Sequence, residues 1–402
     1  DEDLVYEQFF ADYGPLNLGN LHRYVTAIDA LLAEAESAGK TVVHYSSSHG
    51  HRRSNAVLLA CSYSIIRLNR SVPEAYRPFM GIQPPLMPYR DAAFAICTFS
   101  ISVLDCLKGL KRALDLGHFD METFDVDKFF HLDRIENGDV SWIIPGKFIA
   151  FSGPLARKRE IEAGVFTMAA EEYVPLMKSL GVTAIVRFNK KCYERKHFTD
   201  AGIHHFDLYY EDGGNPTEEI MQKFIRICEN EKGAIAVHCK AGLGRTGTNI
   251  AAYMMKHYGY TAVEATAWLR LSRPGSVVGP QQHFVVEAQA RLWKEGDLMR
   301  QKKKRDDRRP SMDQKPRISL PVSRPSPQAS ESPLRRRASN GGRSTPRTLA
   351  PLASESADEP PRSRPSSSNA SRGAQQAARG TRRELQQQPP QQQARGSARP
   401  HT

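Results

Sequence analysis

Short apolar runs rich in β-branched residues alternate with longer stretches of helical periodicity through the middle of the chain. Thr183 to Phe188, His204 to Tyr209 and Ala234 to Val237 have the length and composition of strands. Ala169 to Leu180 and Thr217 to Asn230 space their apolar residues as one face of a helix. Strands alternating with helices predict an α/β fold, a mixed sheet covered by helices. The apolar run Gly233 to Val237 leads toward the helix-forming segment Thr248 to His257, so Cys239 to Gly247 is expected as the turn between them. Nearer the N-terminus, Thr41 to Ser46 reads as a strand. It leads through Gly50, Arg52, Ser54 and Asn55 into an apolar helix, Ala56 to Ile66, and so repeats that strand, loop and helix in outline. Two tandem domains are therefore expected, residues 1–130 and 142–295, joined by an acidic linker over 131–141. Their junction is the expected place for a ligand.

From Arg300 onward this patterning stops. Arginine, serine, proline and glutamine dominate, and runs such as Arg335-Arg336-Arg337 and Gln386-Gln387-Gln388-Pro389-Pro390 cannot build a core, so 300–402 is expected to be a disordered tail. The tail holds 23 Lys and Arg against 8 Asp and Glu, a balance of +15 in a chain whose total is +12. The body is thus slightly acidic, and the high isoelectric point is no sign of a nucleic-acid-binding fold. Lys302-Lys303-Lys304-Arg305 with Arg308-Arg309 matches a nuclear localisation signal or a simple solvated basic run. No stretch approaches the roughly 18 consecutive apolar residues of a membrane span, and Asp1-Glu2-Asp3 does not open a signal peptide. A soluble, intracellular protein is expected. Its six cysteines lack metal-type spacing, so neither a disulfide, a metal nor a cofactor is anticipated.

One segment carries chemistry. Ala-Val-His-Cys-Lys-Ala-Gly-Leu-Gly-Arg-Thr-Gly-Thr-Asn, Ala236 to Asn249, places a single cysteine before a glycine-spaced turn and an arginine at the start of a helix. The backbone N–H groups of Lys240, Ala241, Gly242, Leu243, Gly244, Arg245 and Thr246 are placed to line an anion nest, to which the helix N-terminus adds positive potential. A thiol in that field is expected as the nucleophilic thiolate. Arg245 offers two parallel donors to a phosphoryl group, and the Thr246 hydroxyl could steady the sulfur as it leaves. Covalent catalysis through Cys239 follows. A serine alkoxide must be protonated to depart, so a general acid is needed. The loop Glu211-Asp212-Gly213-Gly214-Asn215-Pro216 can supply Asp212, with Asp207, Glu211 and Asp200 as rivals.

His238-Cys239 with Arg245-Thr246-Gly247 resembles the signature loop of cysteine-dependent protein tyrosine and dual-specificity phosphatases. Trp142-Ile143-Ile144-Pro145, Phe148-Ile149-Ala150-Phe151, Phe198-Thr199-Asp200-Ala201-Gly202 and the run Arg273 to Gln282 narrow the likeness to the cell-division-cycle-fourteen family of dual-specificity phosphatases, over most of residues 1–295. The resemblance implies two tandem dual-specificity-phosphatase-like domains, the first lacking its nucleophile, with Tyr45 where a cysteine would stand. It implies Asp212 as the acid and Gln281 or Gln282 as the residue that orients hydrolytic water. It also implies Asp133, Glu136 and Asp139 in an acidic groove for a basic residue of the substrate, although Lys128 and Phe130 stand where further acids would be expected.

The implied substrates are phosphoproteins carrying phosphoserine followed by proline, with phosphothreonine and phosphotyrosine also accepted. The implied role is reversal of cyclin-dependent-kinase phosphorylation in the cell cycle, at mitotic exit or cytokinesis. The expected locations are nucleus, nucleolus and cytoplasm, with spindle or centrosome. Ser332-Pro333-Leu334-Arg335, Ser326-Pro327, Thr345-Pro346 and the basophilic site at Ser339 make the tail itself an expected target of kinases, and Ser332 a target of the enzyme. Two other classes compete: an inositol-lipid phosphatase, whose loop would carry a second lysine where this chain has Leu243, and a non-catalytic phosphopeptide-binding scaffold.

Overall fold

The computed structural model describes residues 4–94 and 96–307. The N-terminal half is mainly helical. It comprises α1 (Leu18–Ser37), α2 (Gly50–Ile66), α3 (Val72–Tyr76), the short strands β1 (Tyr89–Arg90) and β2 (Ser100–Ile101), α4 (Val103–Asp115) and α5 (Val126–Asp133). Strand β3 (Val140–Ile144) follows, then β4 (Phe148–Phe151), β5 (Glu160–Glu162), β6 (Val165–Phe166), α6 (Ala170–Ser179) and β7 (Val182–Arg187). The remainder is α7 (Lys196–Thr199), β8 (His204–Asp207), α8 (Glu218–Asn230), β9 (Ala234–His238), α9 (Gly244–Tyr258), α10 (Ala262–Ser272) and α11 (Gln281–Asp307). Side-chain caps fix several starts: Thr217 accepts from the Ile220 amide, and Thr261 and Glu264 form a capping box on α10.

The principal sheet has five strands in the order β3-β4-β9-β7-β8, antiparallel only between β3 and β4. β9 is central and every residue from Ala234 to His238 is buried, because helices cover both faces. One face joins a continuous core with the N-terminal half that includes Leu58, Leu107, Leu110, Phe148, Met254 and Trp268. Leu132, Ile149, Tyr173, Met177 and Ile185 pack the other. Leu107 is fully enclosed, so its truncation to alanine would cost about 2–5 kcal/mol. Arg112 Nη2 donates to the Tyr258 carbonyl at 2.5 Å and His118 meets the Tyr260 hydroxyl at 3.0 Å, so α4 is pinned to the segment leading into α10. A separate apolar cavity of about 330 Å³ lies between the halves, lined by Leu18, Phe119, Phe129, Trp142 and Trp268.

The strands and helices read from periodicity in the C-terminal half all form, with ends displaced by a residue or two, apart from the helix expected at Thr248, which starts at Gly244. Three other expectations differ. Residues 41–46 make no strand. Val43 is 74% and Tyr45 80% exposed, and no described strand lies alongside to receive the backbone bonds a strand requires. The linker boundaries also shift, since α5 runs across residue 130 to Asp133 and β3 begins at Val140. Finally, α11 continues past residue 300 through the basic run to Asp307, because Lys, Arg and Gln are good helix formers once a preceding helix supplies the nucleus. Arg308, Arg309, Ser326, Ser332, Ser339 and Thr345 lie outside the described residues.

Candidate active site

β9 delivers Cys239 to the C-terminal edge of the sheet, where its side chain is almost entirely enclosed. The chain then turns sharply at Gly242, whose φ is +68°. A Cβ there would lie 2.0 Å from the Phe151 carbonyl oxygen, so no other residue fits. The buried guanidinium of Arg273 bolts this turn to the fold. It donates to the carbonyls of Gly242 at 2.9 Å and Ala241 at 3.1 Å, to Ser141 at 3.0 Å, and to both carboxylate oxygens of Asp139. Burial pushes Arg273 down to about 10, which leaves it charged at neutral pH. With those carbonyls turned toward Arg273, the N–H groups of the same peptide planes face the opposite side of the loop, as an anion nest requires.

Helix α9 starts at Gly244, earlier than the expected Thr248, so Arg245 and Thr246 belong to its first turn. Glycine propensity assigns Gly244 and Gly247 to a loop, but packing places them in the helix: a Cβ on Gly244 would lie 2.7 Å from Gln281 Oε1, and one on Gly247 would lie 3.2 Å from Val277. Arg245 is 3% exposed and its Nη1 is anchored to the carbonyls of Tyr210 at 2.8 Å and Phe188 at 3.2 Å. Its Nε and the Thr246 hydroxyl are buried without a hydrogen-bond partner among the described residues. Two donors left idle beside a cysteine are what a site for a multiply accepting anion presents. Burial lowers Lys240 from its usual range, against the opposing pull of Asp212.

The acid loop closes over this cradle. Asp212 Oδ1 stands 3.0 Å from Arg245 Nη2, with its side chain 60% exposed, and Gly213 holds φ +75° in the turn beside it. The rivals are otherwise engaged or elsewhere. Asp207 binds Arg187 at 2.6 Å, Glu211 accepts from the Tyr209 hydroxyl at 2.5 Å, and Asp200 is exposed at the end of α7. The two glutamines also separate. Gln281 reaches from Gly244 to the Gly214 carbonyl at 3.0 Å, spanning the cysteine loop and the acid loop. Gln282 is turned toward Arg270, accepting from its Nη2 at 2.7 Å.

Asp133, Glu136 and Asp139 do not form an open set. Asp139 is engaged by Arg273, Asp133 is buried where its charge also acts on Arg273, and only Glu136 is exposed. Sequence reasoning missed a buried chain behind the cysteine. His238 Nδ1 lies 3.0 Å from the Cys239 carbonyl, its Nε2 lies 2.7 Å from the Tyr193 hydroxyl, and that hydroxyl lies 2.8 Å from His205 Nε2. The carbonyl can only accept, so His238 carries its proton on Nδ1, Tyr193 donates to His238, and His205 donates to Tyr193. Burial holds His238 down at about 3 and His205 at about 4, consistent with neutral rings. The histidine next to the cysteine was the one available signal; Tyr193 and His205 carry none.

Comparison with known proteins agrees with this geometry. Residues 1–113 match the family described as dual specificity protein phosphatase, N-terminal half, and residues 166–290 match the dual specificity phosphatase catalytic domain. The chain is 52% identical over 305 residues to human dual specificity protein phosphatase CDC14A, a match covering 76% of this chain and 51% of that protein. It is 47% identical to human CDC14C over 304 residues, 76% of this chain and 68% of that one. With the Caenorhabditis elegans tyrosine-protein phosphatase cdc-14 it shares 39% identity over 363 residues, 86% of this chain and 51% of that protein. The chain thus spans about half the length of the CDC14A relatives it matches. On nucleophile loop, acid loop, tandem halves and sequence identity alike, this chain belongs to the CDC14 family of dual-specificity phosphatases.

Proposed function

We propose that this protein hydrolyses phosphate esters of serine, threonine and tyrosine in other proteins, through a phosphocysteine on Cys239. One observation carries the reading: Asp212 stands 3.0 Å from a buried Arg245 whose Nε and neighbouring Thr246 hydroxyl have no partner among the described residues, in the loop and helix start that follow Cys239. In the first step Sγ attacks phosphorus, the S–P bond forms, and the P–O bond to the substrate breaks. Asp212 gives its proton to the departing oxygen. Arg245 and the loop amides hold the charge that builds on the phosphoryl oxygens. In the second step water adds to phosphorus, its proton passes to Asp212, and the S–P electrons return to sulfur as phosphate leaves. In this reading Gln281 orients that water, which its reach from Gly244 to the Gly214 carbonyl supports.

For substrates we propose serine followed by proline, the mark of cyclin-dependent and related kinases, and with it a cell-cycle role. The support is a pair of exposed rings, Phe10 and Phe94, tilted by 42° with centroids 4.4 Å apart, next in sequence to the buried cluster in which Phe9 and Ala92 pack with Ala241 and Leu243 of the nucleophile loop. A proline ring fits such exposed rings, whereas a highly charged inositol headgroup would lack the second loop lysine, since that position is Leu243 and is buried. With Asp139 engaged by Arg273, we propose only a weak preference for a downstream basic residue.

The test is a phosphopeptide panel on the intact protein: phosphoserine-proline, phosphothreonine-proline and phosphotyrosine, each with and without a downstream arginine, beside inositol phosphates. Cys239→Ser should abolish turnover yet retain peptide binding. Asp212→Ala should slow phosphoserine hydrolysis by about 10²–10⁴-fold. Best substrates lacking proline, or faster release from inositol phosphates, would defeat the substrate reading.

A further inference from the structure

The N-terminal half has no nucleophile, yet it reaches into the segment that sets Gln281. Asp91 follows β1, which is paired with β2 and with Tyr13 through reciprocal backbone bonds to Arg90 of 3.2 and 2.7 Å. Its carboxylate is 3% exposed and accepts the Gly279 amide at 2.6 Å. Gly279 begins the tight turn that launches α11, with φ +60°, and Val277 just before it also holds φ +60°, a conformation a β-branched residue adopts only when its surroundings dictate it. Those surroundings are visible. Arg270, fully buried, donates to the carbonyls of Ser276 and Val277 and to Gln282, and its charge faces Asp91. Thr98 meets His283 on the first turn of α11 at 3.0 Å, and the Phe99 ring packs edge-on against the same histidine. Asp91 therefore grips the turn at 279, and Thr98 and Phe99 the helix at 283, with Gln281 between them.

We infer that Asp91 is a positioning residue for the second chemical step: by holding the Gly279 amide it fixes Gln281 against Gly244, so that the water attacking the phosphocysteine is aligned. The half without the Cys239 counterpart thus contributes to turnover by setting a glutamine for its neighbour. Formation of the S–P bond does not use Gln281, so only its hydrolysis, water oxygen to phosphorus and electron pair back to sulfur, depends on this contact. The inference rests on the phosphocysteine mechanism and on the role of Gln281 proposed above.

Rapid mixing of the full chain with a chromogenic aryl phosphate, whose leaving group departs without a proton, separates the steps. Asp91→Ala should keep a full-amplitude burst at a rate within about twofold of the unaltered protein, while steady-state turnover falls about 10-fold or more and phosphorus accumulates on Cys239 in acid-quenched samples. Burst amplitude also counts the folded enzyme, so misfolding cannot imitate this result. Gln281→Ala should give the same signature, and the double variant should be no slower than Gln281→Ala alone. Asp91→Asn, which keeps an acceptor for the amide, should recover most of the loss. Burst and steady state falling together, multiplicative losses in the double variant, or Asp91→Asn as slow as Asp91→Ala would each overturn the inference. If Gln281→Ala itself leaves hydrolysis intact, the assignment of the water-orienting residue fails first; if only Asp91→Ala does so, the failure belongs to Asp91.

Discussion

Residues 41–66 and 234–258 offer the same sequence pattern, a β-prone run, a polar loop with glycine and an apolar helix, but only the second becomes a site. β9 lies between β4 and β7 with all five residues buried, so the loop it launches starts from a fixed point. Arg273 and the Phe151 carbonyl then hold the turn from behind. In the N-terminal half the β-prone run is unpaired and exposed, and the chain reaches α2 through His49, which makes no side-chain cap. Ser54 and Asn55, in the second turn of α2, act as pegs. Ser54 Oγ donates to the Met87 carbonyl at 2.8 Å, and Asn55 Oδ1 accepts from the Tyr89 hydroxyl at 3.1 Å. A cradle for an anion is thus made by what grips the loop from outside it, not by loop composition.

The largest effect should come from removing that grip. Asp139→Ala removes the carboxylate that hydrogen-bonds the fully buried Arg273 and leaves only the Asp133 charge to oppose it; breaking such a pair costs about 3–5 kcal/mol. Denaturant unfolding should show the loss as a lower midpoint with an unchanged slope. Tyr45→Ala, on the unpaired segment, should leave the midpoint where it was. Equal midpoints for Asp139→Ala and the unaltered protein would mean that the Arg273 bolt does not hold the loop.

Next is Gly242→Ala against Gly50→Ala. A methyl group on Gly242 must move the Phe151 carbonyl or the loop by more than an ångström, and a displacement near 1 Å at a catalytic centre costs on the order of 10²-fold in rate, about 2.7 kcal/mol. The same change at Gly50 meets only the flexible Met87 side chain at 3.4 Å, within the first turn of α2. Its kcat/KM should be unchanged. A Gly242→Ala enzyme of full activity would show that the nest tolerates a different backbone.

These contrasts also mark what the sequence could carry. That Cys239, Arg245 and Thr246 share one turn was legible because they are close in sequence, and the loop that brings Asp212 to Arg245 was legible from its glycines. β7, β8 and β9 were legible as apolar runs, but pairing is not written in a run, so 41–46 read as a strand and is none. Asp139 was expected in an open acidic groove and Arg273 only as the start of a family-like run, since a charged residue far along the chain from its partner gives no local sign of burial. Asp91, Tyr193 and His205 were silent for the same reason: their roles arise where separate segments meet.

The smallest effect tests the chain behind Cys239, and its sign follows from the two histidines. His205 is held down at about 4 and His238 at about 3 in the folded protein, against 6.5 for a free imidazole. Between pH 4 and 6.5 the unfolded chain therefore binds protons that the folded one refuses, so stability is complete above 6.5 and falls as the solution is acidified toward 4. His205→Gln removes one such proton uptake, and the slope of unfolding free energy against pH should flatten by up to about 1.4 kcal/mol per unit in that window. Gln can still donate to the Tyr193 hydroxyl, so turnover near pH 7 should change little. An unchanged slope would mean that His205 is already charged in the fold. The donor order from His205 through Tyr193 to His238 would still stand, because a charged ring also donates, but Asp207, 3.8 Å from His205 Nδ1, would then be its counterion, and the catalytic loop would rest on a buried charge rather than a neutral chain.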